Sequence, residues 1–413
     1  MNVTGPIERV RHWPSEASTH VPAWIYSDPA LFEDEMAAFF YGPTWNYVGL
    51  TCEIPHNGAF KRSWIGKKSV IVVRDNEGEI HVLENRCAHR AAPVCWKNKG
   101  EMDQIVCPYH QWTYDLRGDL KSVPFRRGVQ GQGGMPSDFT LEDHGLRRLK
   151  TTVRGGSIWA SFAEDLPDFA SYCGPEFLSH IDRLLGTKPL RLMGYSRQLI
   201  PCNWKLYFEN SRDPYHATLL HTFFIRFGIY RADSPGIRTA STEGGRHMIN
   251  YSANAGTQRS ETTAQMTRFQ NDFNISDLET VTPRVEFADY GTCGLQLFPG
   301  VFLQQHANAL GLRHIIPRDP TSVELSWTFY GYQDDDDAMR RLRLKHSNLT
   351  GPAGYVSMDD SEVLAQLQDT VSSYPEAVGV FEMGGRETEP QETMLTELGI
   401  RAFYKFYRQV MGL

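Results

Sequence analysis

Between Asn203 and His221 the chain reads NWKLYFENSRDPYHATLLH, which gathers Glu209, Asn210, Asp213, His216 and His221 on one short segment. Two neutral imidazoles and one carboxylate make a facial triad for non-haem Fe(II), with positions left open for dioxygen. Asp213 and His216 are spaced to share a helix face. His216 and His221 are spaced so that an undistorted helix turns them roughly 140° apart. Pro214 removes a backbone donor and breaks or restarts a helix. The spacing therefore predicts a helix interrupted near Asp213, with both histidines turned to one site. The bland reading of the same residues is an N-capping Asp213, a proline at the first helical position and two ordinary histidines.

Earlier, Cys87-Ala-His89 and Cys107-Pro-Tyr-His110 are separated by seventeen residues. Two thiolates on one iron and two imidazoles on the other are the ligand set of a Rieske 2Fe-2S cluster, and neutral imidazole raises its potential above that of an all-cysteine cluster. A structural zinc site of the Cys2His2 kind is the competitor, but it groups C-x2-4-C and then H-x3-5-H. Alternation of Cys and His within each pair favours the cluster.

Positioning these groups takes a large scaffold, and 413 residues suffice for two domains. A formal net charge of −7 argues against nucleic acid as a partner. Cys52, Cys95, Cys173, Cys202 and Cys293 form no disulfide framework and are expected as reduced core thiols. The opening MNVTGPIERVRHW lacks a signal-peptide pattern, and no apolar run reaches the ~20 residues of a membrane span, so a soluble cytoplasmic protein is expected. Asp28-Pro29 starts a helix through Phe40. Period-two strands such as Ser69–Arg74 and Glu79–Leu83 flank the turn at Asp75–Gly78. An all-β domain over 45–163 is expected to carry the Cys/His loops, after an arm and helix over 1–44 that pack on a catalytic domain over 164–413. The glycine-rich run 127–135 has no strand-to-helix context and reads as a flexible loop. Further strands are expected at Met193–Ile200, Gly294–Phe298, Val301–His306, Leu312–Ile316 and Val323–Tyr332. The acidic run Asp334–Asp337 should compensate the dipole of a helix over Ala338–Lys345. Asp359-Asp360 should precede a helix over Ser361–Thr370, and an aromatic helix closes the chain around Ile400–Met411. Arg313, alternating with apolar residues, shares a strand face with Ile315. If that face lines a pocket, its planar fork can hold an aromatic carboxylate. The alternative is a solvent-facing or salt-bridged arginine.

Taken in this order, the motifs resemble the large (α) subunit of Rieske-type aromatic ring-hydroxylating oxygenases over nearly the whole chain. The resemblance rests on the four Cys/His positions, Asn203-Trp-Lys205, the segment Glu209 to His221, Gly351-Pro-Ala-Gly354 and Asp359-Asp360. Gly133–Pro136, Glu142–Gly145, Glu382–Gly385 and FGIYRAD at 227–233 are similar to the aromatic-acid branch, whose members take salicylate-, anthranilate- or terephthalate-like acids. The resemblance implies an α+β fold, with an all-β Rieske domain and a helix-grip catalytic domain whose antiparallel sheet wraps a helix. It implies a mononuclear iron held by His216, His221 and Asp360, with N-capping by the acidic pair as the alternative role. Asp213 would bridge His216 to the neighbouring subunit's cluster, Asn210 would act beside it, and Arg313 and Val356 would bind substrate. Implied partners are dioxygen, an aromatic acid, a small β subunit in an α3β3 assembly, and a ferredoxin or reductase bringing electrons from NAD(P)H. The expected activity is ring hydroxylation of a salicylate- or anthranilate-like acid. The alternatives are a terephthalate- or benzoate-type cis-dihydroxylating dioxygenase and an O-demethylase; a bare electron carrier would need only the first domain. Where many relatives have glycine after C-x-H-R, this chain has Ala91.

Overall fold

The computed structural model describes residues 13–14, 17–227, 232–234, 236–242, 244–253, 275–287 and 291–413. Strand β1 (His20–Pro22) leads to helix α1 (Pro29–Glu35), capped by Asp28, whose side chain accepts from the amides of Ala30 and Leu31. The helix runs on to Phe40 through one widened turn, in which the Tyr41 amide reaches the Met36 carbonyl.

Three small antiparallel sheets follow. Their strands are β2 (Asn46–Leu50), β3 (Ala59–Ile65), β4 (Lys68–Arg74), β5 (Ile80–Glu84), β6 (Lys99–Glu101), β7 (Ile105–Val106), β8 (Thr113–Tyr114), β9 (Leu120–Ser122), β10 (Lys150–Arg154) and β11 (Ser157–Ser161). They are ordered β5-β4-β3-β6, β7-β8-β9 and β10-β11-β2. Within the glycine-rich run, Val129 and Gln132 pair through both amides, and Gln130 and Gly131 sit at φ +52° and +76°. That is the geometry of a two-residue hairpin turn, which needs positive φ at both central positions.

After α2 (Phe169–Cys173) and α3 (Pro175–Ile181) comes a seven-stranded antiparallel sheet. Its strands are β12 (Leu190–Ile200), β13 (Arg238–Ser241), β14 (Met248–Ser252), β15 (Thr292–Leu297), β16 (Val301–His306), β17 (Ala309–Asp319) and β18 (Ser322–Tyr332), in the order β12-β18-β17-β16-β15-β14-β13. Between β12 and β13 the chain leaves the sheet for α4 (Trp204–Asn210), α5 (Pro214–Ala217) and α6 (Thr222–Arg226). Then come α7 (Asp337–Thr350), α8 (Ser357–Ser373), strand β19 (Val378–Val380), which pairs with β1, and α9 (Leu398–Met411).

Two sequence expectations change here. Of the acidic run, Asp336 caps α7 and Asp337 lies in its first turn, but Asp335 pairs with the buried Arg343 at 2.6 Å and Asp334 with Lys188 at 2.7 Å. Tertiary charge partners thus claim half of a cluster that local dipole logic assigned to one helix end. Helix α8 starts at Ser357, so Asp359 and Asp360 lie inside its first turn and cap nothing. A continuous buried core joins α1, α4 and α9 with residues of the small sheets. At its centre Glu35 accepts from Lys205 Nζ and the Tyr407 hydroxyl at 2.6 Å each and from Trp204 Nε1 at 2.8 Å. A buried carboxylate is tolerable because each lone pair facing the core has a donor.

Candidate metal centres and ring pocket

Helix α4 begins at Asn203, whose side chain caps the Lys205 amide, and stops after Asn210. Asp213 then caps α5 by accepting from the amides of Tyr215 and His216, with Pro214 as its first residue. A second break leaves His221 at the N-cap of α6. These two breaks bring together imidazoles that a straight helix would part. His216 Nε2 and His221 Nε2 lie 3.3 and 3.4 Å from the same atom, Asp360 Oδ1. The three ligand-type atoms fall within 4.8 Å of one another. Asp359 faces the outer side, 3.6 Å from His221 Nδ1, so Asp360 is the member of the pair that shares the centre.

The outer nitrogens are each backed by a carboxylate. His216 Nδ1 is 3.2 Å from Asp213 Oδ2, a charge contact lying off the hydrogen-bond line. Asn210 Nδ2 donates to Asp360 Oδ1 at 3.0 Å and lies 3.2 Å from His216 Nε2. Burial works against a charged His216, yet the carboxylates of Asp213 and Asp360 hold its pKa up to about 10. Burial likewise opposes ionisation of Asp360, and His221, His216 and Asn210 hold it well below the ordinary carboxylate range. The field at the centre therefore favours positive charge. With two imidazoles and one carboxylate converging, the donor set fits a divalent transition metal.

At the other centre, two loops repeat one backbone design. The Cys87 amide donates to Ala92 O and the Ala91 amide returns to Cys87 O; Cys107 with Trp112, and Gln111 with Cys107, do the same. Ala91 and Gln111 both sit in the left-handed region, at φ 56° and 58°. The thiols of Cys87 and Cys107 are buried, whereas His89 is exposed and His110 half-buried at the tip. The two rings lie 4.5 Å apart, and His89 stacks on Trp112 at 4.8 Å. The Tyr114 hydroxyl lies 3.2 Å from Cys87 Sγ. Buried sulfurs beneath surface imidazoles fit a cluster with its histidine-held iron outermost. No cysteine is in a disulfide, and Cys52 alone of the five assigned to the core is only half-buried.

Beside the triad opens a pocket of about 630 Å³, open water at its mouth included, lined by Asn210, Phe224, Phe302, His306, Arg313 and Val356 among others. Arg313 is 4% exposed. Its Nε donates to Gln304 Oε1 at 2.6 Å and its Nη1 to the Tyr207 hydroxyl at 3.1 Å, while Trp327 and Phe302 flank the guanidinium. Among the described residues no carboxylate pairs with it. Sequence reasoning missed His306, Phe302 and Tyr207. The sequence held half of the signal for the first two, since Phe302, Gln304 and His306 alternate along one face of β16; the other half, that Phe302 is directly opposite Arg313, is set by strand pairing. Burial first, then Arg313 and His221, hold His306 down to about 3, so it is a neutral imidazole. Within FGIYRAD, residues 228–231 lie outside the described residues.

Residues 44–132 match the Rieske [2Fe-2S] domain family, and residues 180–413 match the ring hydroxylating alpha subunit (catalytic domain) family. The chain belongs to the alpha subunits of the Rieske ring-hydroxylating oxygenases. It is 41% identical over 406 residues to the large oxygenase component of salicylate 5-hydroxylase from Ralstonia sp, covering 97% of this chain and 96% of that one. It is 40% identical to the alpha 2 subunit of the terminal oxygenase component of terephthalate 1,2-dioxygenase from Comamonas sp, covering 98% of each. The large subunit of anthranilate 1,2-dioxygenase from Burkholderia cepacia is 38% identical, with 97% and 95% covered. Naphthalene 1,2-dioxygenase from Rhodococcus sp. shares the fold, with a TM-score of 0.79 at 23% identity over 95% of this chain and 94% of that one. As an oxygenase of this family, the protein carries one Rieske cluster and one mononuclear iron, and such components work as multimers with electron-transfer partners. No described helix is long and apolar enough to cross a membrane.

Proposed function

We propose that this oxygenase hydroxylates the ring of an aromatic carboxylic acid of the salicylate or anthranilate kind. One observation carries the reading: a guanidinium buried in the pocket wall, held by neutral partners and paired with no carboxylate among the described residues. Buried charges are normally paired, and a bidentate carboxylate suits the fork that Gln304 and Tyr207 orient. Val356, in the wall near Asp360, limits the space left for the ring. Relatives named for salicylate, terephthalate and anthranilate, of nearly equal identity, agree with an acid substrate. A cis-dihydroxylating reaction on a terephthalate- or benzoate-type acid is the second reading, favoured by the 40% identity to the Comamonas protein, and product analysis separates the two.

In this reading His216, His221 and Asp360 hold the iron, and Cys87, His89, Cys107 and His110 hold the cluster. The iron supplies dioxygen activation and the cluster supplies electrons that reach it from NAD(P)H through a reductase or ferredoxin. The protein's own part is positioning. Arg313 fixes the acid, Phe302 and Phe224 keep water from the ring, Asn210 steadies Asp360, and Asp213 sets the tilt of His216. In an α3β3 assembly with a small β subunit, Asp213 would also bridge His216 to a second copy's His110 and so connect cluster to iron. The domain limits proposed are 1–44, 45–163 and 164–413.

The test is Arg313→Met, similar in length but uncharged. Loss of one partner of a buried charge pair costs roughly 2–5 kcal/mol, so KM for the acid should rise well over tenfold while both metal centres stay loaded. Normal binding and hydroxylation in the variant would remove Arg313 from substrate recognition and with it the case for a carboxylate.

A further inference from the structure

His306 ends β16 with its ring in the pocket wall, yet neither ring nitrogen has a hydrogen-bond partner among the described residues, and Nδ1 is fully buried. An unsatisfied buried polar atom is destabilising, and an apolar ring there would avoid that penalty. Such a group in a folded protein calls for an explanation. Its place in the sheet supplies one. Phe302, Gln304 and His306 face the same way, Phe302 stands opposite Arg313, and His306 stands opposite Ala309. Along the sheet His306 is thus offset from Arg313 by four residues, roughly 13 Å at the rise of an extended strand. Both side chains line the same pocket beside the triad. Phe224, centred 6.0 Å from the His306 ring and edge-on to it, holds its plane.

We propose that His306 is a specificity-determining residue: it hydrogen-bonds a hydroxyl or amino substituent on the ring edge turned away from Arg313, and so selects hydroxy- or aminobenzoates over benzoate. This deepens the aromatic-acid reading and rests on it. A neutral imidazole offers one donor and one acceptor, so it can take the proton of a phenol or an aniline as well as give one. A ring that lacks the group leaves the imidazole unpaired in the wall, and a site built to bond a substrate hydroxyl rejects the analogue without it.

The experiment is equilibrium binding by calorimetry to the metal-loaded enzyme, using benzoate, anthranilate and the three monohydroxybenzoates. At least one substituted acid should bind the wild type about tenfold or more tighter than benzoate, the scale of a buried hydrogen bond with its penalty. In His306→Leu that acid should fall to the affinity of benzoate, benzoate itself should hold or improve, and iron content should stay unchanged. His306→Gln, which keeps a donor and an acceptor, should restore part of the preference. A parallel fall for benzoate in both variants would mark a purely structural role, and an unchanged preference in His306→Leu would remove the contact; either overturns the proposal. Arg313→Met keeps the two readings apart, because it should weaken benzoate and substituted acids alike whatever His306 does.

Discussion

The two metal centres are built by opposite strategies. The cluster loops are neighbours in sequence, repeat one hydrogen-bonded turn and present His89 at the surface. The triad proposed to hold the iron takes His216 and His221 from a twice-broken helical stretch and Asp360 from α8, far later in the chain, and buries His221 and Asp360 almost completely. The difference follows from the tasks. Electrons can enter through an exposed imidazole edge, whereas a dioxygen-activating site works only if water is kept out and the ring is held beside it. The surface centre needs only local turns, but the buried one needs the whole catalytic fold to close.

The largest effect should separate the two centres outright. Asp360→Ala deletes the charge on which both Nε2 atoms converge. The expected result is an intact Rieske visible spectrum, no mononuclear iron and turnover at background. Iron and turnover retained in that variant would mean another carboxylate completes the site, Asp359 being the nearest alternative.

Next in size is Asp213→Asn. Asparagine still caps α5, so the break that turns His216 inward should survive, but the charge behind Nδ1 is gone. Changing a group behind a metal ligand typically costs 10–100-fold, and turnover should fall by about that factor with both centres loaded. Single-turnover electron transfer at the wild-type rate would deny Asp213 its bridging part.

How much of this was legible in the sequence follows the same division. The four candidate cluster ligands were named from spacing, and the structure brings them onto two loops of matching local turn, with His89 and His110 side by side. The helix break at Asp213-Pro214 was also legible, since capping and proline are local. Choosing Asp360 over Asp359 rested on the resemblance, because spacing alone leaves the pair open and the faces of the two residues depend on where α8 begins. His306 went unread for a related reason. Its strand was placed correctly at Val301–His306, but only the pairing of β16 with β17 puts its face opposite Arg313. Register between strands is a tertiary fact.

A smaller effect tests the cluster side through pH. Asp75 accepts from the amides of Glu77 and Glu79, from His81 and from Arg117, tying the β4–β5 turn to the loop before β9. Burial raises its pKa, but the bonds from His81, Glu79, Arg117 and Glu77 prevail and hold it down to about 2, below the ordinary 3.8. A depressed carboxylate contributes stability that is present above its unfolded value and lost as pH falls through the folded one. Cluster bleaching should therefore steepen between pH 4 and 2. Asp75→Asn should lose about 1–3 kcal/mol at neutral pH and show a flatter acid limb, read by cluster absorbance, while neutral-pH iron content at the other centre stays unchanged. An unchanged acid limb would mean other carboxylates govern the cluster domain.

The smallest effect asks whether the two cluster loops are equivalent. Ala91 and Gln111 hold corresponding places, each donating its amide back to the cysteine of its loop, and each is left-handed. That conformation brings Cβ toward the following carbonyl and costs an L-residue about 1–2 kcal/mol, a penalty glycine escapes. Glycine gives back roughly 0.5–1 kcal/mol through the greater freedom of its unfolded chain. The Ala91 methyl is exposed, so its removal forfeits little packing. Ala91→Gly should accordingly stabilise the loop by up to about 1 kcal/mol, seen as slower cluster loss under heat or mild denaturant. Gln111→Gly should shift in the same direction, because its backbone is the same. Opposite signs for the two would show that the loops, though alike in hydrogen bonding, differ in what their side chains contact, and would locate that difference at the single position where alanine stands beside the Cys87-x-His89 pair.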